Sequence, residues 1–302
     1  MSRKVVVGIL FGGRSGEHEV SLMSAQGIME AMDASKFEIV PIGITKEGHW
    51  LASGDPHGAL SSGVETESSP AMLLAEPAEH GLMRLEKQVP GILATRLRQI
   101  DVIFPILHGP YGEDGTVQGL LKLADIPFVG AGVLGSAVGM DKDVMKRLFR
   151  DAGIPTAKFV VVDLSTKHRL NFHSVRQELG LPCFVKPANL GSSVGVSKVH
   201  NEEAFVSAVE EAFRYDRKIL IEEYIQGREI ECSVLGNESP IASLPGEILT
   251  NTTKHQFYSY EAKYIDESGA ELGIPAQLPE ETIKKVQQIA IKAYKVSCCE
   301  GM

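Results

Sequence analysis

The sequence predicts an α/β protein in two parts, an N-terminal open and mostly parallel α/β domain followed by an α+β domain. The chain opens with an apolar run from Val5 to Leu10, a glycine turn and a helical pattern, which together start an open α/β sheet. The alternation of strands and helices that follows implies parallel pairing, with ligands at the carboxyl ends of the strands. With 302 residues, the chain exceeds the usual single domain of roughly 100 to 200 residues.

The first elements follow from hydrophobic spacing. The β-branched run ends at Gly12-Gly13, and a second strand is predicted over residues 37–44. Residues 53–90 are rich in Ser, Gly, Glu and Pro and show little periodicity, which predicts surface excursions around the sheet. The helix between the two strands is indicated by Leu22, Ala25, Met29 and Met32, which recur at helical spacing.

Regular structure returns at residue 102. A strand over 102–107 stops at His108, and a helix and a short strand at 128–129 follow it. Asp141 is typical of a residue that caps a helix. We expect a domain boundary just before this helix, which gives an N-terminal domain over 1–139.

The second part of the sequence has a different pattern. A short strand over 184–186 leads into a glycine-serine loop over 188–195, and Asn201 then caps a helix. Strand, loop, strand and helix in this order indicate an α+β layer. We assign it to a central subdomain over 140–217.

A C-terminal subdomain is predicted over 218–302. It begins with an apolar strand over 219–224. In the next strand, over 229–235, apolar and polar residues alternate, so one face packs in a core and the other lines something polar. Pro279 opens the last helix.

Composition excludes several classes of protein. The net charge of -9 argues against a nucleic-acid partner, whose phosphates need a basic surface. The four cysteines lack paired metal spacing and are too sparse for a disulfide scaffold, which favours the reducing cytoplasm. The apolar runs are too short for a signal peptide or a membrane helix, so we expect a soluble protein with no membrane partner.

The loop from Asn189 to Gly195 is the first segment that indicates chemistry. It offers backbone N–H groups and hydroxyls directly after Lys186-Pro187, which suits a cover for phosphate oxygens. The G-x-x-x-x-G-K-[ST] order of a Walker motif is absent. A plain β-hairpin turn is the alternative interpretation.

Five motifs run in a fixed order from end to end of the chain. They are Phe11-Gly-Gly-Arg-Ser-Gly-Glu-His-Glu-Val-Ser21, Leu107-His-Gly-Pro-Tyr-Gly-Glu-Asp-Gly115, Met140-Asp-Lys-Asp143, Ile221-Glu-Glu-Tyr-Ile-Gln-Gly-Arg-Glu229 and Tyr260-Glu-Ala-Lys-Tyr264. Together with the loop they resemble D-alanine–D-alanine ligases of the ATP-grasp superfamily. The resemblance implies a pre-ATP-grasp N-terminal domain and an ATP-grasp α+β fold that is incomplete at its C-terminus.

The resemblance also implies a reaction. ATP would phosphorylate the carboxylate of one D-alanine, and the amine of a second D-alanine would attack the acyl phosphate to give D-alanyl-D-alanine for peptidoglycan. Such an enzyme brings anions together and then stabilises an oxyanion, so cationic side chains, metal ions and backbone donors are expected. The implied cofactors are ATP and Mg²⁺ or Mn²⁺.

The implied phosphate-binding residues are three lysines and the loop. Lys142 and Lys186 match the lysines that hold the α- and β-phosphates, and Lys263 matches the one near the transferred phosphate. A point charge on a flexible stem suits that task. Ser193 belongs to the covering loop. The structural alternative for Lys142 is a solvated residue in the first turn of a helix.

The implied adenosine-binding residues follow strand 219–224. Glu222, Glu223 and Ile225 match the linker that contacts adenine, and Glu229 matches the acceptor of the ribose hydroxyls. A solvated strand edge is the alternative interpretation for Glu229.

The implied amino-acid site contains four residues. Glu19 matches the carboxylate that anchors the ammonium of the first D-alanine, in a hydrogen-bonded set with Ser192 and Tyr264. Ligases that make D-alanyl-D-lactate lack this tyrosine, so Tyr264 favours an amine as second substrate. His108 resembles the family histidine near the substrates. Helix capping by Glu19, half-buried packing of Tyr264 and a turn position for His108 are the structural alternatives.

The family pattern does not end within these residues. The arginine and the carboxylate and amide ligands that hold two magnesium ions in the family would follow residue 302, and no pair among Glu231, Asp266 and Glu271 matches that metal motif. We therefore expect no metal ligands in the 302 residues and a chain that is unstable or inactive when made alone. A non-catalytic nucleotide-binding fragment and a ligase for D-serine or D-lactate are the alternatives. The family resemblance further implies a homodimer.

Overall fold

The structure divides into two compact units, one up to Ser136 and one from Ala137. It is a computed structural model that describes residues 3–52, 54–63, 69–77, 81–88, 91–251, 254, 257, 259–264, 266 and 268–301. Each unit has its own sheets and its own hydrophobic core. The division of the second unit at residue 217 stays a prediction.

The first unit is built on a seven-stranded sheet. Its strands lie in the order β6-β5-β4-β3-β2-β1-β7. The strands are β1 (Val5–Gly12), β2 (Phe37–Ile44), β3 (Trp50–Ala52), β4 (Ser69–Leu73), β5 (Gly81–Gln88), β6 (Gly91–Gln99) and β7 (Val102–Pro105). The helices are α1 (His18–Ala31), α2 (Pro56–Ser62), α3 (Thr116–Leu123) and α4 (Val133–Met140), the last of which spans the division.

Strand β1 is parallel to both of its neighbours, β2 and β7. Both faces of β1 are covered, since Leu10 packs in one core cluster and Ile9 and Phe11 pack in another. A parallel strand buried on both faces is expected to be a continuous apolar run. The prediction of an α/β fold with an open sheet that contains parallel strands is therefore confirmed.

The prediction of surface excursions over residues 53–90 is wrong. Strands β3, β4, β5 and β6 continue the sheet, and each pairs antiparallel with its neighbour. The antiparallel extension is less covered than β1, and most of β6 is exposed. Half-exposed strands that alternate with sequence segments rich in glycine and proline give a weak periodicity, which explains the error. The strand predicted at 128–129 is reduced to a single bridge between Ile103 and Phe128.

The second unit contains three smaller sheets among the residues that the structure describes. Its strands are β8 (Phe159–Asp163), β9 (Cys183–Pro187), β10 (Ser197–Val199), β11 (Lys218–Glu223), β12 (Glu229–Glu231), β13 (Val234–Leu235), β14 (Ile241–Ala242), β15 (Gly246–Thr250) and β16 (Ala270–Gly273). Its helices are α5 (Lys142–Asp151), α6 (Phe172–Leu179), α7 (Glu202–Tyr215), α8 (Tyr260–Tyr264) and α9 (Glu280–Val296), with a 3₁₀ turn at Lys167–Arg169.

The largest of these sheets has the order β10-β9-β11-β8, and its strands all pair antiparallel. One face packs against helices α6 and α7, where Val185, Ile221 and Phe205 belong to one core cluster. The predicted helix caps are confirmed: the Asp141 side chain accepts from the N–H groups of residues 143 and 144, and the Asn201 side chain accepts from the N–H of Ala204.

The remaining strands form a three-stranded sheet, β12-β15-β16, and a β13–β14 hairpin. Strand 229–235 is therefore interrupted, although its alternation of exposed and half-buried residues is as predicted. Helix α9 contacts the small hairpin and has no fully buried residue, so the core face predicted for it is only partly covered. Leu272 and Ile274 beside β15 are more than half exposed. No described helix meets the length and hydropathy needed to cross a membrane.

The turn after β1 requires glycine. Gly12 has a φ of +86°, and a Cβ there would lie 2.3 Å from the carbonyl oxygen of Ile44. We expect Gly12→Ala to lower the free energy of unfolding of the first unit by at least about 2 kcal/mol, because the backbone must shift and alanine is strained at positive φ. Urea unfolding followed by the fluorescence of Trp50, the single tryptophan, measures this change.

Gly27→Ala is the matched control. Gly27 is exposed in helix α1, and a Cβ there would meet nothing within 4 Å. Alanine at this position should raise stability by up to about 1 kcal/mol through its better helix propensity. Equal effects of the two substitutions would contradict the steric argument.

Candidate active site

The second face of the four-stranded sheet carries charged side chains. Side chains alternate along a strand, so Val185 and Ile221 enter the core while Lys186 and Glu222 project from the opposite face. Helix α5 contributes Lys146 to the same group of charges. The antiparallel register therefore brings together side chains that are far apart in the sequence.

Glu222 is the buried centre of this group. Its two carboxylate oxygens form separate ion pairs, Oε1 with Lys146 Nζ and Oε2 with Lys186 Nζ. Burial alone would raise the pKa of the Glu222 carboxyl, but Lys186 and Lys146 outweigh burial and hold the pKa below its ordinary value. The carboxylate therefore stays ionised although it is only 6% exposed.

Lys142 lies at the first turn of α5 and reaches the glycine-serine loop. Its backbone N–H donates to the carbonyl oxygen of Ala188 at 3.0 Å, and its Nζ donates to the carbonyl oxygen of Leu190. Burial, together with the nearby charge of Lys186, lowers the pKa of Lys142 from 10.5 to about 8. The native protein binds this proton less tightly than the unfolded chain does, so the stability contributed by Lys142 rises between about pH 8 and pH 10.5.

The loop between β9 and β10 has an unusual backbone. Ser192 and Ser193 both have positive φ, of 47° and 61°, which costs residues with a side chain roughly 1 kcal/mol or more each. Gly195 also has a positive φ, and a Cβ there would lie 2.8 Å from the ring of Tyr215 and 2.9 Å from Pro187. A side chain at position 195 would clash with these two residues, so this conformation of the loop requires glycine there.

The base of the loop is hydrogen-bonded to Asp216, which lies between α7 and β11. The backbone N–H and the side-chain amide of Asn189 both donate to the Asp216 carboxylate, at 2.8 and 2.9 Å. Lys218 in turn pairs with Asp141 at 2.6 Å and contacts Asp143 at 3.4 Å. These bonds connect the loop, the sheet and the N-terminus of α5, which carries Lys142.

The tip of the loop contacts helix α8. The Ser192 and Tyr264 hydroxyls share a hydrogen bond of 2.9 Å, although the residues are 72 positions apart. Tyr264 is 38% exposed, and its ring packs against that of Tyr260. The structure thus joins two of the residues for which the family resemblance implied one hydrogen-bonded set.

Glu229 on β12 lies close enough to Lys263 of helix α8 for their charges to interact. Glu229 is exposed to solvent, but surrounding atoms still desolvate its carboxylate enough to raise its pKa against the opposing charge of Lys263. The adjacent Arg228 forms a two-point ion pair with Glu247 at 2.6 Å and anchors β12 to β15. The position of Glu229 is therefore fixed by its neighbour.

The other two residues of the predicted adenine-binding linker differ in their surroundings. The Glu223 carboxylate accepts a hydrogen bond of 2.7 Å from the backbone N–H of Lys158, the residue just before β8. Ile225, just after β11, is 62% exposed. Of the two adjacent carboxylates, Glu222 is the one that joins the lysine group.

The first unit holds Glu19 and His108. Glu19 lies in the first turn of α1, where Lys46 lowers the pKa of its carboxyl through a direct ion pair. His108 lies just after β7, and its Nε2 is 3.4 Å from the Ser24 hydroxyl of α1. Two acidic residues hold the following loop, since Glu113 accepts the N–H of Gly109 at 2.6 Å and Asp114 accepts that of Tyr111 at 2.8 Å.

No group of three or more His, Cys, Asp and Glu side chains suited to a metal ion exists among the described residues. The charged groups described above instead place the Glu222 carboxylate between a buried lysine, Lys146, and a half-buried one, Lys186. A cationic surface beneath a glycine-serine loop suits polyphosphate oxygens.

An antiparallel sheet with lysines on one face and a glycine-serine loop at its edge is the arrangement expected of a ligase of the ATP-grasp class. The sequence profile described as D-ala D-ala ligase N-terminus matches residues 6–131, and that described as D-ala D-ala ligase C-terminus matches residues 148–302. The chain belongs to the D-alanine–D-alanine ligase family.

Relatives and solved structures agree with this assignment. The chain is 50% identical to the D-alanine–D-alanine ligase of Oceanobacillus iheyensis, over 99% of this chain and 81% of the relative. The structure resembles the D-alanine–D-alanine ligase from Coxiella burnetii at a TM-score of 0.80, with 36% identity over 100% of this chain and 79% of that one. It also resembles the VanG D-Ala:D-Ser ligase from Enterococcus faecalis at a TM-score of 0.83, with 33% identity over 99% and 84%. The predicted family and fold class are confirmed.

Three charged residues of this site were not identified from the sequence. Lys146, Asp216 and Lys218 take part in its ion pairs and hydrogen bonds. Lys146 follows Lys142 by four positions, a spacing that puts two residues on one face of a helix, and this signal could have found it. Asp216 and Lys218 flank the start of β11 and carry no comparable pattern.

The depressed pKa of Lys142 leads to a direct measurement. Competitive labelling with trace acetic anhydride, read by mass spectrometry of the peptide that contains Lys142, should show half-maximal reactivity near pH 8 in the folded protein. In urea the midpoint should move up toward 10.5, because unfolding removes the burial and the neighbouring lysine.

Lys122, which is exposed on α3, provides the internal reference for intrinsic amine reactivity. A labelling midpoint for Lys142 that is the same in the folded protein and in urea would contradict the electrostatic account of the site.

Proposed function

We propose that this protein joins two molecules of D-alanine into D-alanyl-D-alanine and converts ATP to ADP and phosphate. The observation that carries the proposal is the group formed by Lys142, Lys186 and the buried Glu222 beneath a loop whose Ser192 bonds Tyr264. Membership of the ligase family supports the same reaction. The dipeptide would serve peptidoglycan synthesis in the cytoplasm, where ATP is available.

The lysines would act on the phosphates. Burial and the nearby charge of Lys186 lower the pKa of Lys142, and an anionic phosphate placed between the two ammonium groups would relieve their repulsion. Nucleotide binding would therefore raise the pKa of Lys142 and fix both ammonium groups. Ser193 and the loop backbone would close over the phosphates, and Lys263 would neutralise the transferred group.

The strand end after β11 would bind the nucleoside. Glu222 would accept a hydrogen bond from the amino group of adenine, while main-chain groups between Glu223 and Ile225 contact the edge of the base. Glu229 would accept hydrogen bonds from the ribose hydroxyls. Its raised pKa and its exposure are compatible with a carboxylate that becomes buried only when the nucleotide is present.

The amino-acid site would use the Ser192 and Tyr264 hydroxyls together with Glu19 and His108. The shared hydrogen bond orients both hydroxyls before substrate arrives. The carboxylate of the first D-alanine gains the phosphoryl group, the amine of the second attacks the acyl carbon, and phosphate leaves. Holding both amino acids in reach of each other supplies much of the acceleration in such reactions.

Ligases of this family use Mg²⁺ in general, and we propose that the same ion, or Mn²⁺, neutralises the phosphate oxygens here. The described residues hold no cluster of three or more His, Cys, Asp and Glu side chains that fits it. Inactivity of the 302-residue chain alone stays a prediction. So does the homodimer, which sedimentation velocity would test.

A ligase for D-alanine and D-serine is the second candidate. The observation that favours it is the similarity to the structure of VanG, named as a D-Ala:D-Ser ligase. D-Serine differs from D-alanine by one hydroxyl, and an apolar pocket rejects such an addition only weakly. Competition between the two amino acids at neutral pH separates the candidates.

The ligase proposal predicts phosphate release that requires both ATP and D-alanine. In assays of the purified protein, mass spectrometry should detect one D-alanyl-D-alanine for each phosphate. L-Alanine is the control, since the stereochemistry of the site should reject it. Equal phosphate release with L-alanine, or with no amino acid, would refute the substrate assignment.

Removal of the Tyr264 hydroxyl should weaken selection of an amine as second substrate. In Tyr264→Phe the ring stays but the bond to Ser192 is lost. We expect kcat/KM for D-alanine as acceptor to fall about 10-fold, the size of one hydrogen bond, while D-lactate loses little. The ratio of dipeptide to ester product measures the change.

Tyr224→Phe is the matched control, because Tyr224 is equally exposed at 38% and its ring packs against Phe184 and Lys198. Ser192→Ala should reproduce the effect of Tyr264→Phe, and the double variant should add little to either. Fully additive losses would show that the two hydroxyls act independently.

A further inference from the structure

Lys146 is a buried lysine to which neither the sequence motifs nor the proposed reaction assigns a task. It lies in the middle of helix α5 and is 8% exposed, against 6% for its ion-pair partner Glu222. Its Nζ also lies 5.4 Å from the centre of the Phe159 ring on β8. A lysine is seldom buried this deeply unless a partner needs its charge.

The two lysines on Glu222 are not equivalent. Lys146 contacts Oε1 and Lys186 contacts Oε2, and the Lys186 side chain is twice as exposed, at 21% against 10%. Lys186 is therefore the one that can turn to a ligand from solvent. If it does so, Glu222 keeps its charge only through Lys146, because an unpaired carboxylate at this depth would take up a proton or move.

We propose that Lys146 is a positioning residue for the adenine base, which holds Glu222 in place as a hydrogen-bond acceptor while Lys186 turns to the phosphates. The inference rests on the proposed function, since it assumes that Glu222 accepts from the amino group of adenine. The two lysines would then have different roles. Lys186 would bind the phosphates, and Lys146 would position the carboxylate that binds the base.

The burial of charge explains why a second lysine is needed. One carboxylate shared between two ammonium groups leaves a net charge of about +1, which an anionic phosphate beside Lys186 would compensate. The carboxylate is then released from Lys186 but not from Lys146. A carboxylate fixed through one oxygen presents the other oxygen to a donor, which is the geometry that an amino group requires.

The test compares ATP with purine riboside triphosphate, which lacks the 6-amino group. Titration calorimetry on the purified protein should show that wild type binds ATP about 10- to 100-fold more tightly than the analogue, because a hydrogen bond to a charged acceptor is lost with the analogue. In Lys146→Met this preference should fall to within about 2-fold, with the loss confined to ATP. Lys146→Arg should restore most of it.

Steady-state kinetics add a second readout. The base lies far from the reacting carboxylate in the proposed site, so Lys146→Met should raise KM for ATP about 10- to 100-fold and leave kcat within about 3-fold. Arg150→Met removes an equal charge from the exposed side of the same helix and should change neither value. In a Glu222→Gln background, Lys146→Met should have no further effect on base preference.

Several outcomes would overturn the inference. If wild type does not bind ATP, the proposed function itself fails. If wild type prefers ATP and Lys146→Met retains that preference, or weakens both nucleotides equally, Lys146 only anchors α5. Lys146→Gln serves as the second neutral variant, and failure of both neutral variants to fold would likewise establish a structural role.

Discussion

The charged site depends on the ionisation of Glu222 in a nearly dry position. A carboxylate at this depth is costly unless it is paired, and the pairing comes from lysines on two different elements, α5 and β9. The pair with Lys186 depends on the register of β9 and β11, and the pair with Lys146 depends on the position of α5. Burial, together with the charge of Lys186, lowers the pKa of the nearby Lys142, so the site is set up to gain from an anion.

The loop over this group contains two adjacent serines in the left-handed region, Ser192 and Ser193. Two serines in the left-handed region would be unfavourable in an isolated turn, but bonds at both ends of the loop offset that cost. Asn189 is held by Asp216 at the base, and Ser192 is held by Tyr264 at the tip. The Lys142 ammonium also donates to the Leu190 carbonyl. A loop held by a few hydrogen bonds can adjust when a ligand enters, which suits a cover more than a rigid wall.

The first unit applies a similar constraint to glycine. The turn at Gly12 passes so close to the carbonyl of Ile44 that no side chain fits, and it leads directly into the helix that carries Glu19. The carboxyl end of a parallel strand and the first turn of a helix meet at this point, which is where open α/β sheets present ligand-binding groups. The glycine-rich motif is therefore needed for the backbone path as well as for any ligand.

The sequence by itself determined features that depend on near neighbours in the chain. Caps at Asp141 and Asn201, the buried run of β1 and the motif residues all follow from short-range patterns. The antiparallel strands over residues 69–99 were missed because half-exposed strands leave weak periodicity. Only the tertiary structure decided which lysines meet Glu222, because burial and strand register join residues 36 and 76 positions apart, and no local pattern encodes that pairing.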